Sequence, residues 1–361
     1  MGACFLPINI VTLVSVIFSV LFPINYLFAE PSYYNISSKT NFTSTEASNS
    51  SYKGEIPNNS KNVSSNTDKA VAIIFDRGDK TQFTNAKPIL DKYGFKASFF
   101  VICSFIDGNI YYKLQDGKEV LHYFDVAMNW NEIQTLDKEG HDIESHGMQH
   151  RYLRNLTSEE LESEVGDSKE CLEDHGISPV YFQIPSNRGA ENLTILKTIS
   201  EYFEFGFSGH SRLMFLNCDG WVNHGFKTKS YKYQYDCNPY SDQGIPTRTH
   251  KYAIKEWSHD RYHSQLNNQY PNLAPHGSEI SNMLFSEFVN LVNSQRTYNE
   301  KAGKIVAIPI LGYHNIDIDN TYDTSKELFD REMKYLYDNE FKVLRLTDLG
   351  YNEKEHHFYI K

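Results

Sequence analysis

Short, continuous apolar runs alternate along most of this chain with longer stretches in which apolar residues return every three or four positions. Ala70–Phe75 (AVAIIF) has no polar side chain, as expected of a strand covered on both faces. The spacing predicts a helix over Thr84–Tyr93, with Pro88 in its first turns and Gly94 just past its end. Lys96–Ile102 reads as a second strand, Trp130–Lys138 as a helix and His141–Ser145 as a third strand. Thr157-Ser-Glu-Glu160 has the form of a capping box and opens a helix to about His175. Strands at Val180–Ile184 and Glu204–Ser208 flank a helix over Leu193–Phe203. The alternation returns with a helix over Met283–Val292, a strand over Lys304–Leu311, a helix over Phe329–Asn339 and a last strand over Phe341–Leu346. Strands separated by helices of ten to fifteen residues imply an α/β fold with a parallel sheet, open or closed into a barrel.

Three stretches break this rhythm. Between about 209 and 278 the chain is rich in Tyr, His, Asn, Asp and Pro, and is read as a loop-rich insertion over one end of the sheet. Residues 30–68 are rich in Ser, Thr and Asn, too polar to offset the entropy of ordering, and form a linker. Ile10–Phe22 is uncharged and too short for a comfortable bilayer span, so residues 1–29 read as a signal peptide or N-terminal anchor. The domain then runs over 69–361, in a protein expected to be secreted or held at the cell surface. Asn-x-Ser/Thr sequons at Asn35, Asn41, Asn49, Asn58, Asn62, Asn155 and Asn192 would suit a glycoprotein.

Charge and cysteine content narrow the function classes. A formal net charge of −11 argues against a protein that tracks nucleic-acid phosphates. Membrane contact is expected only through the possible N-terminal anchor. Cys218 and Cys237 share one polar segment and are candidates for a disulfide, whereas Cys103 and Cys171 read as buried thiols. No Cys-x-x-Cys pair occurs, which excludes a zinc ribbon.

Parallel α/β folds carry their reactive groups at the C-terminal ends of strands. Asp76-Arg77-Gly78-Asp79 follows the first strand, His146 and His150 the third, Gln183–Arg188 the fourth, and His314 the strand ending at Leu311. His146-Gly-Met-Gln-His150 separates two imidazoles by four positions, which on a helical turn would aim both at one point. The pair lacks the Glu of His-Glu-x-x-His, which counts against a zinc peptidase.

These clusters resemble the motifs of the polysaccharide deacetylases of the NodB-homology type, carbohydrate esterase family four. Ile74-Phe75-Asp76-Arg77-Gly78 matches most of the family's Thr-Phe-Asp-Asp-Gly, and His146 to His150 resembles its His-Ser/Thr-x-x-His. NAKPILDKYGFKASFFV, GHDIESHGMQHRYL and ILGYHNI are similar to its flanking segments. The resemblance implies a distorted (β/α)7 barrel and removal of N-acetyl groups from a cell-surface or extracellular polysaccharide with the help of a divalent metal, zinc being the expectation. By position it makes Asp76 the general base, His314 the acid, and His146 and His150 metal ligands. Pro185, Arg188 and Trp221 fall to substrate contact. The fourth motif, an Asp and a Trp, is matched by Asp219 with Trp221 or by Trp257 with Asp260.

Two positions depart from the pattern. Arg77 stands where the metal-binding Asp belongs, and a guanidinium has no lone pair to offer a cation. Asp79 is then the candidate third ligand. Gln183 replaces the Arg that would orient the base, with Arg188 in reach of the same region. These departures motivate one alternative, a catalytically impaired glycan-binding module on the same fold; a second, a deacylase of small amides, would have the Tyr- and His-rich insertion narrow the cleft.

Overall fold

The computed structural model describes residues 69–113, 119–189, 192–217, 251–252, 254–317 and 323–361. The proposed leader, the polar linker and the Cys218–Cys237 pair lie outside the described residues.

Seven parallel strands form the sheet: β1 (Ala70–Phe75), β2 (Ser98–Val101), β3 (Asp142–Ser145), β4 (Tyr181–Gln183), β5 (Phe205–His210), β6 (Ile254–Ser258) and β7 (Ile310–Tyr313). Each pairs with the next in chain order, and β7 pairs back with β1 from Ala72↔Ile310 to Phe75↔Tyr313. The sheet is therefore a closed barrel, and the α/β reading of the sequence resolves to the (β/α)7 form. An eighth strand, β8 (Lys342–Leu344), pairs with Ala70–Ala72, below the point where β2 takes over at Ile74.

Both faces of each strand are buried, which is why the sequence shows unbroken apolar runs rather than alternation. Val71, Ile73 and Phe75 face outward into the layer beneath the helices, and Phe75 stacks on Phe99 with ring centroids 4.8 Å apart. Ala70, Ala72 and Ile74 face inward with Phe100, Tyr181, Phe207, Ile254 and Ile310. This two-residue period carries past the strand ends and decides which polar side chains point into the barrel mouth.

The helices form as their end signals require. α1 (Lys87–Tyr93) follows a π-helical turn over Gln82–Ala86 and stops at Gly94 in the left-handed conformation, φ +70°. α2 (Trp130–Lys138) starts at a capping box between Asn129 and Glu132, and α3 (Ser158–Glu162) at the predicted one between Thr157 and Glu160. A second π-helical turn, Ser163–Asp167, joins α3 to α4 (Ser168–Glu173). α5 (Leu193–Tyr202), α6 (His259–Gln269), α7 (Ser278–Ser294) and α8 (Lys326–Asp338) supply most of the remaining outer layer.

Three sequence expectations are corrected. The segment 209–278 is not wholly an insertion: it contains β6 and α6, which complete the barrel. Its strand, Ile-Lys-Glu-Trp-Ser, carries a glutamate on its inward face and so lacks the apolar run that marked the others. Lys304–Leu311 is broken at Pro309, which has no N–H for a ladder, giving a short strand at Ala307–Ile308 and then β7. Finally, Cys103 and Cys171 are not separate thiols: they are joined in a disulfide, Cα–Cα 6.5 Å, which ties the turn after β2 to α4.

That link closes a long loop, with a sequence separation of 68. Chain entropy alone gives a closure of this length about 4 kcal/mol. Replacing both cysteines by Ala should lower the free energy of unfolding by about 2–4 kcal/mol in urea titration, with the barrel intact by circular dichroism.

Candidate functional site

Inward parity brings the polar residues together. Asp76 continues the Ala70, Ala72, Ile74 series, Gln183 follows Tyr181, Glu256 follows Ile254, and His314 follows Ile310 and Gly312. His146, one residue beyond β3, is buried as well. Asp76, Gln183 and Glu256 are also buried. Five strand ends thus deliver five hydrogen-bonding side chains to one mouth.

Asp76 and His314 meet there. Oδ2 of Asp76 lies 3.6 Å from Nε2 of His314, and Nδ1 of His314 lies 2.7 Å from Oδ2 of Asp260. The same Asp260 oxygen accepts the backbone N–H of His314 at 2.9 Å, so the ring is fixed by its own main chain. Gln82, unremarked in the sequence, donates to the carbonyls of Asp76 (2.6 Å) and His314 (3.2 Å) and clamps the ends of β1 and β7 together.

Gln183 takes the place predicted for an arginine. Its Nε2 donates to Asp76 at 2.9 Å and to Glu256 at 3.3 Å, while its main-chain carbonyl oxygen is 3.1 Å from Nδ1 of His146. The predicted substitute, Arg188, is exposed; Gln183 itself contacts the base. A neutral amide between two buried carboxyls leaves their repulsion uncompensated. Burial, with Asp76 nearby, accordingly pushes Glu256 well above the usual carboxylate range. Burial also raises Asp76, against the opposing pulls of His314, the Gln183 hydrogen bond and Arg77.

The two imidazoles converge, but not on a helical turn. The His146–His150 segment is a loop, with Gly147 at φ +89° and His150 at φ +57°, and the rings meet edge to face with centroids 4.8 Å apart. Glu164, on the π-helical turn, cradles this loop by accepting the backbone N–H groups of Gln149 and Arg151. A Cβ at Gly147 would lie 2.5 Å from Oε1 of Glu164. That collision, together with the positive φ, explains why glycine stands where the resemblance expects Ser or Thr. No sequence signal marks Glu164, because its role depends on a turn 15 residues away.

Arg77 decides the electrostatics of the mouth. It sits in the left-handed region, φ +74°, with Nε 3.4 Å from Oδ2 of Asp79. Burial and then the Arg77 charge push His150 down to about 3, and burial with His150 pushes His146 well below its ordinary value. Burial and Arg77 act the same way on His314. The hydrogen bond and charge of Asp260, aided by Asp76, outweigh them and raise His314.

These residues do not fit a divalent ion. Among the described residues no three His, Cys, Asp or Glu side chains gather closely enough to hold one. Asp79, the candidate third ligand, faces Arg77 instead, and the guanidinium charge, which acts on both histidines, would repel a dication. Of the residues expected to contact substrate, Pro185 is buried beside the Gly147 loop and Trp221 lies outside the described residues. Trp257 is buried on the outward face of β6, whereas Asp260 is the partner of His314.

The acid–base groups of this closed parallel barrel lie at the C-terminal strand ends, the end at which α/β barrels carry their reactive groups. Residues 64–202 match the polysaccharide deacetylase family model. A peptidoglycan-N-acetylglucosamine deacetylase of Bacillus cereus is 32% identical over 148 residues, 41% of this chain and 55% of that protein. YxkH of Bacillus subtilis is 31% identical over 107 residues, 30% of this chain and 33% of the relative. The chain thus spans about half the length of the first relative and a third of the second. The solved peptidoglycan deacetylase PdaC of Bacillus subtilis has a TM-score of 0.42 at 14% identity, over 77% of this chain and 88% of that one.

The depressed histidines link stability to pH. An unfolded chain takes up protons at these imidazoles near pH 6.5, whereas folded His150 resists until about 3. Their contribution is therefore fully present above pH 6.5 and is lost as pH falls toward 3. His150→Gln should flatten the decline in thermal midpoint between pH 7 and pH 4.5, measured by calorimetry beside the wild type. Gly147→Ala should cost about 1–3 kcal/mol in chemical denaturation.

Proposed function

We propose that this chain binds an N-acetylated glycan across the barrel mouth and removes acetyl groups from it by acid–base hydrolysis. The observation that carries this reading is the placement of Asp76 3.6 Å from His314, with Asp260 braced behind the imidazole at 2.7 Å. A base and an acid side by side are what amide hydrolysis needs, one to activate water and one to protonate the leaving amine.

In this reading Oδ1 of Asp76, which has no hydrogen-bond partner among the described residues, accepts the proton of the attacking water. Burial raises its proton affinity, while Asp260 favours the protonated form of His314. Nε2 of His314 then gives its proton to the departing amine. The positive charge opposing the developing oxyanion comes from Arg77, a fixed cation at the sequence position where the resemblance expects a metal-binding Asp.

The named activity of the Bacillus cereus relative supports a cell-wall glycan bearing N-acetylglucosamine as substrate class. A secreted or surface location is supported by the apolar N-terminal run and by the Cys103–Cys171 disulfide, since such links persist in oxidising compartments.

A second reading is favoured by one observation, the ion pair between Arg77 and Asp79. It holds that the barrel binds the glycan without turning it over. Acetate release from N-acetylglucosamine oligomers distinguishes the two. The hydrolase reading expects a bell-shaped pH dependence. Its acid limb, from Asp76, should lie above 3.8 and its alkaline limb, from His314, above 6.5. Asp76→Asn should reduce release by about 10²–10⁴-fold, and His314→Gln should remove the alkaline limb. Silence of the wild type, with release gained by Arg77→Asp on adding zinc, would instead establish the binding module.

A further inference from the structure

We propose that Thr324, His259 and Glu332 form a positioning relay behind Asp260 that sets how readily His314 gives up its proton. The proposal rests on the acid role assigned to His314 above, and concerns groups that no substrate touches.

The contacts run inward from the mouth. Asp260 holds Nδ1 of His314 with Oδ2 and accepts the hydroxyl of Thr324 on Oδ1 at 3.2 Å. The same hydroxyl oxygen is 2.9 Å from Nδ1 of His259. Nε2 of His259 is 3.0 Å from Oε1 of Glu332, whose Oε2 accepts the hydroxyl of Tyr313 at 2.9 Å. Asp260, Thr324, His259, Glu332 and Tyr313 are all at most 1% exposed. The members come from three consecutive parts of the barrel wall. His259 and Asp260 open α6 after β6, Tyr313 ends β7, and Thr324 and Glu332 lie just before and within α8.

Hydrogen-bond bookkeeping fixes the direction of the chain. A hydroxyl has one proton to give, and a carboxylate has none. Because Asp260 can only accept, Thr324 donates to it and must accept from His259. Nδ1 of His259 therefore carries a proton, a tautomer assigned from its partners. Tyr313 donates to one oxygen of Glu332, and a proton lies between the other oxygen and Nε2 of His259. The Nδ1–H of His259 and the hydroxyl of Thr324 are thus both directed toward Asp260. The ring of His259 is further fixed by stacking on Tyr313, with centroids 5.1 Å apart.

Asp260 is consequently shared between two imidazoles. His314 takes one oxygen directly; His259 reaches the other through Thr324, with its own Nδ1 4.0 Å from Oδ1. Burial works against a charge on His259, but Glu332 outweighs it and holds the ring above the ordinary imidazole range. Stabilising Asp260 from behind weakens its grip on the His314 proton, so the acid stays protonated yet can still release. A structural core at this position has no need of the array, since apolar side chains of equal volume are commonly as stable as buried charge pairs. The other charged or titratable groups acting on His314 are Asp76 and Arg77 on the β1 turn. His314 in turn acts on His146 and His150. Substitution at Thr324 leaves all of them in place.

The test is Thr324→Val in the full chain, with Thr324→Ser as the conservative control. His314 is titrated by NMR on histidine-labelled protein, its signal identified by its loss in His314→Gln. Without the hydroxyl, Oδ1 of Asp260 loses a donor, the carboxylate becomes a stronger base, and the His314 pKa should rise by about half a unit or more, about threefold in proton affinity. The serine variant should titrate like the wild type. On N-acetylglucosamine oligomers, kcat should fall by about three- to tenfold with KM within about twofold, and the alkaline limb should move upward. If the valine variant does not fold, Thr324→Ala cuts the same link with less crowding. A His314 titration unchanged to within about 0.2 units in the folded variant overturns the relay. A shifted titration in a protein that releases no acetate supports the relay and sinks the hydrolase reading instead.

Discussion

Asp76, Glu256, Asp260 and Glu332 all place carboxyl groups beneath the surface around one end of the barrel, where an unpaired charge would cost several kcal/mol. Most of the polar arrangement follows from meeting that demand. Gln183 spans Asp76 and Glu256, His314 and Thr324 take the two oxygens of Asp260, and His259 with Tyr313 takes those of Glu332. Because the partners come from different β/α units, the mouth is assembled only when the barrel closes. Closure and site formation are one event.

Charge balance gives the departures from the family motif a physical meaning. Two residues differ in kind from what the resemblance leads one to expect. Arg77 adds a cation, and Gln183 removes one. The consequences are opposite in sign and local. Around His146 and His150 the guanidinium, added to burial, keeps the rings neutral and opposes a metal ion. Around Asp76 and Glu256 the missing cation leaves two carboxyls with one amide between them, and proton affinity rises. The polar pattern at this mouth thus rests on a fixed guanidinium and on buried acids of raised proton affinity.

Much of this was legible in advance, for identifiable reasons. β1 was readable because both of its faces are buried, and β3 and α2 were placed to within a residue by periodicity and flanking glycines. Asp76, His146 and His314 were found because each follows a strand. β6 was missed because Glu256 interrupts its apolar run, and with it went Glu256 itself and the pairing of Asp260 with His314. Gln82, Glu164 and Thr324 carry no local signal at all, since each acts on a segment distant in the chain.

The sequence alone determined the α/β alternation and the identity of the groups available at the strand ends. These are local properties, fixed by a two-residue or 3.6-residue period and by caps. Only the tertiary structure decided that seven strands close on themselves, that Cys103 joins Cys171, and that Arg77 turns toward Asp79 rather than leaving it to the two histidines. Those outcomes depend on distances between residues far apart in the chain, and on a backbone turned to φ +74° at Arg77, which no reading of residue order contains.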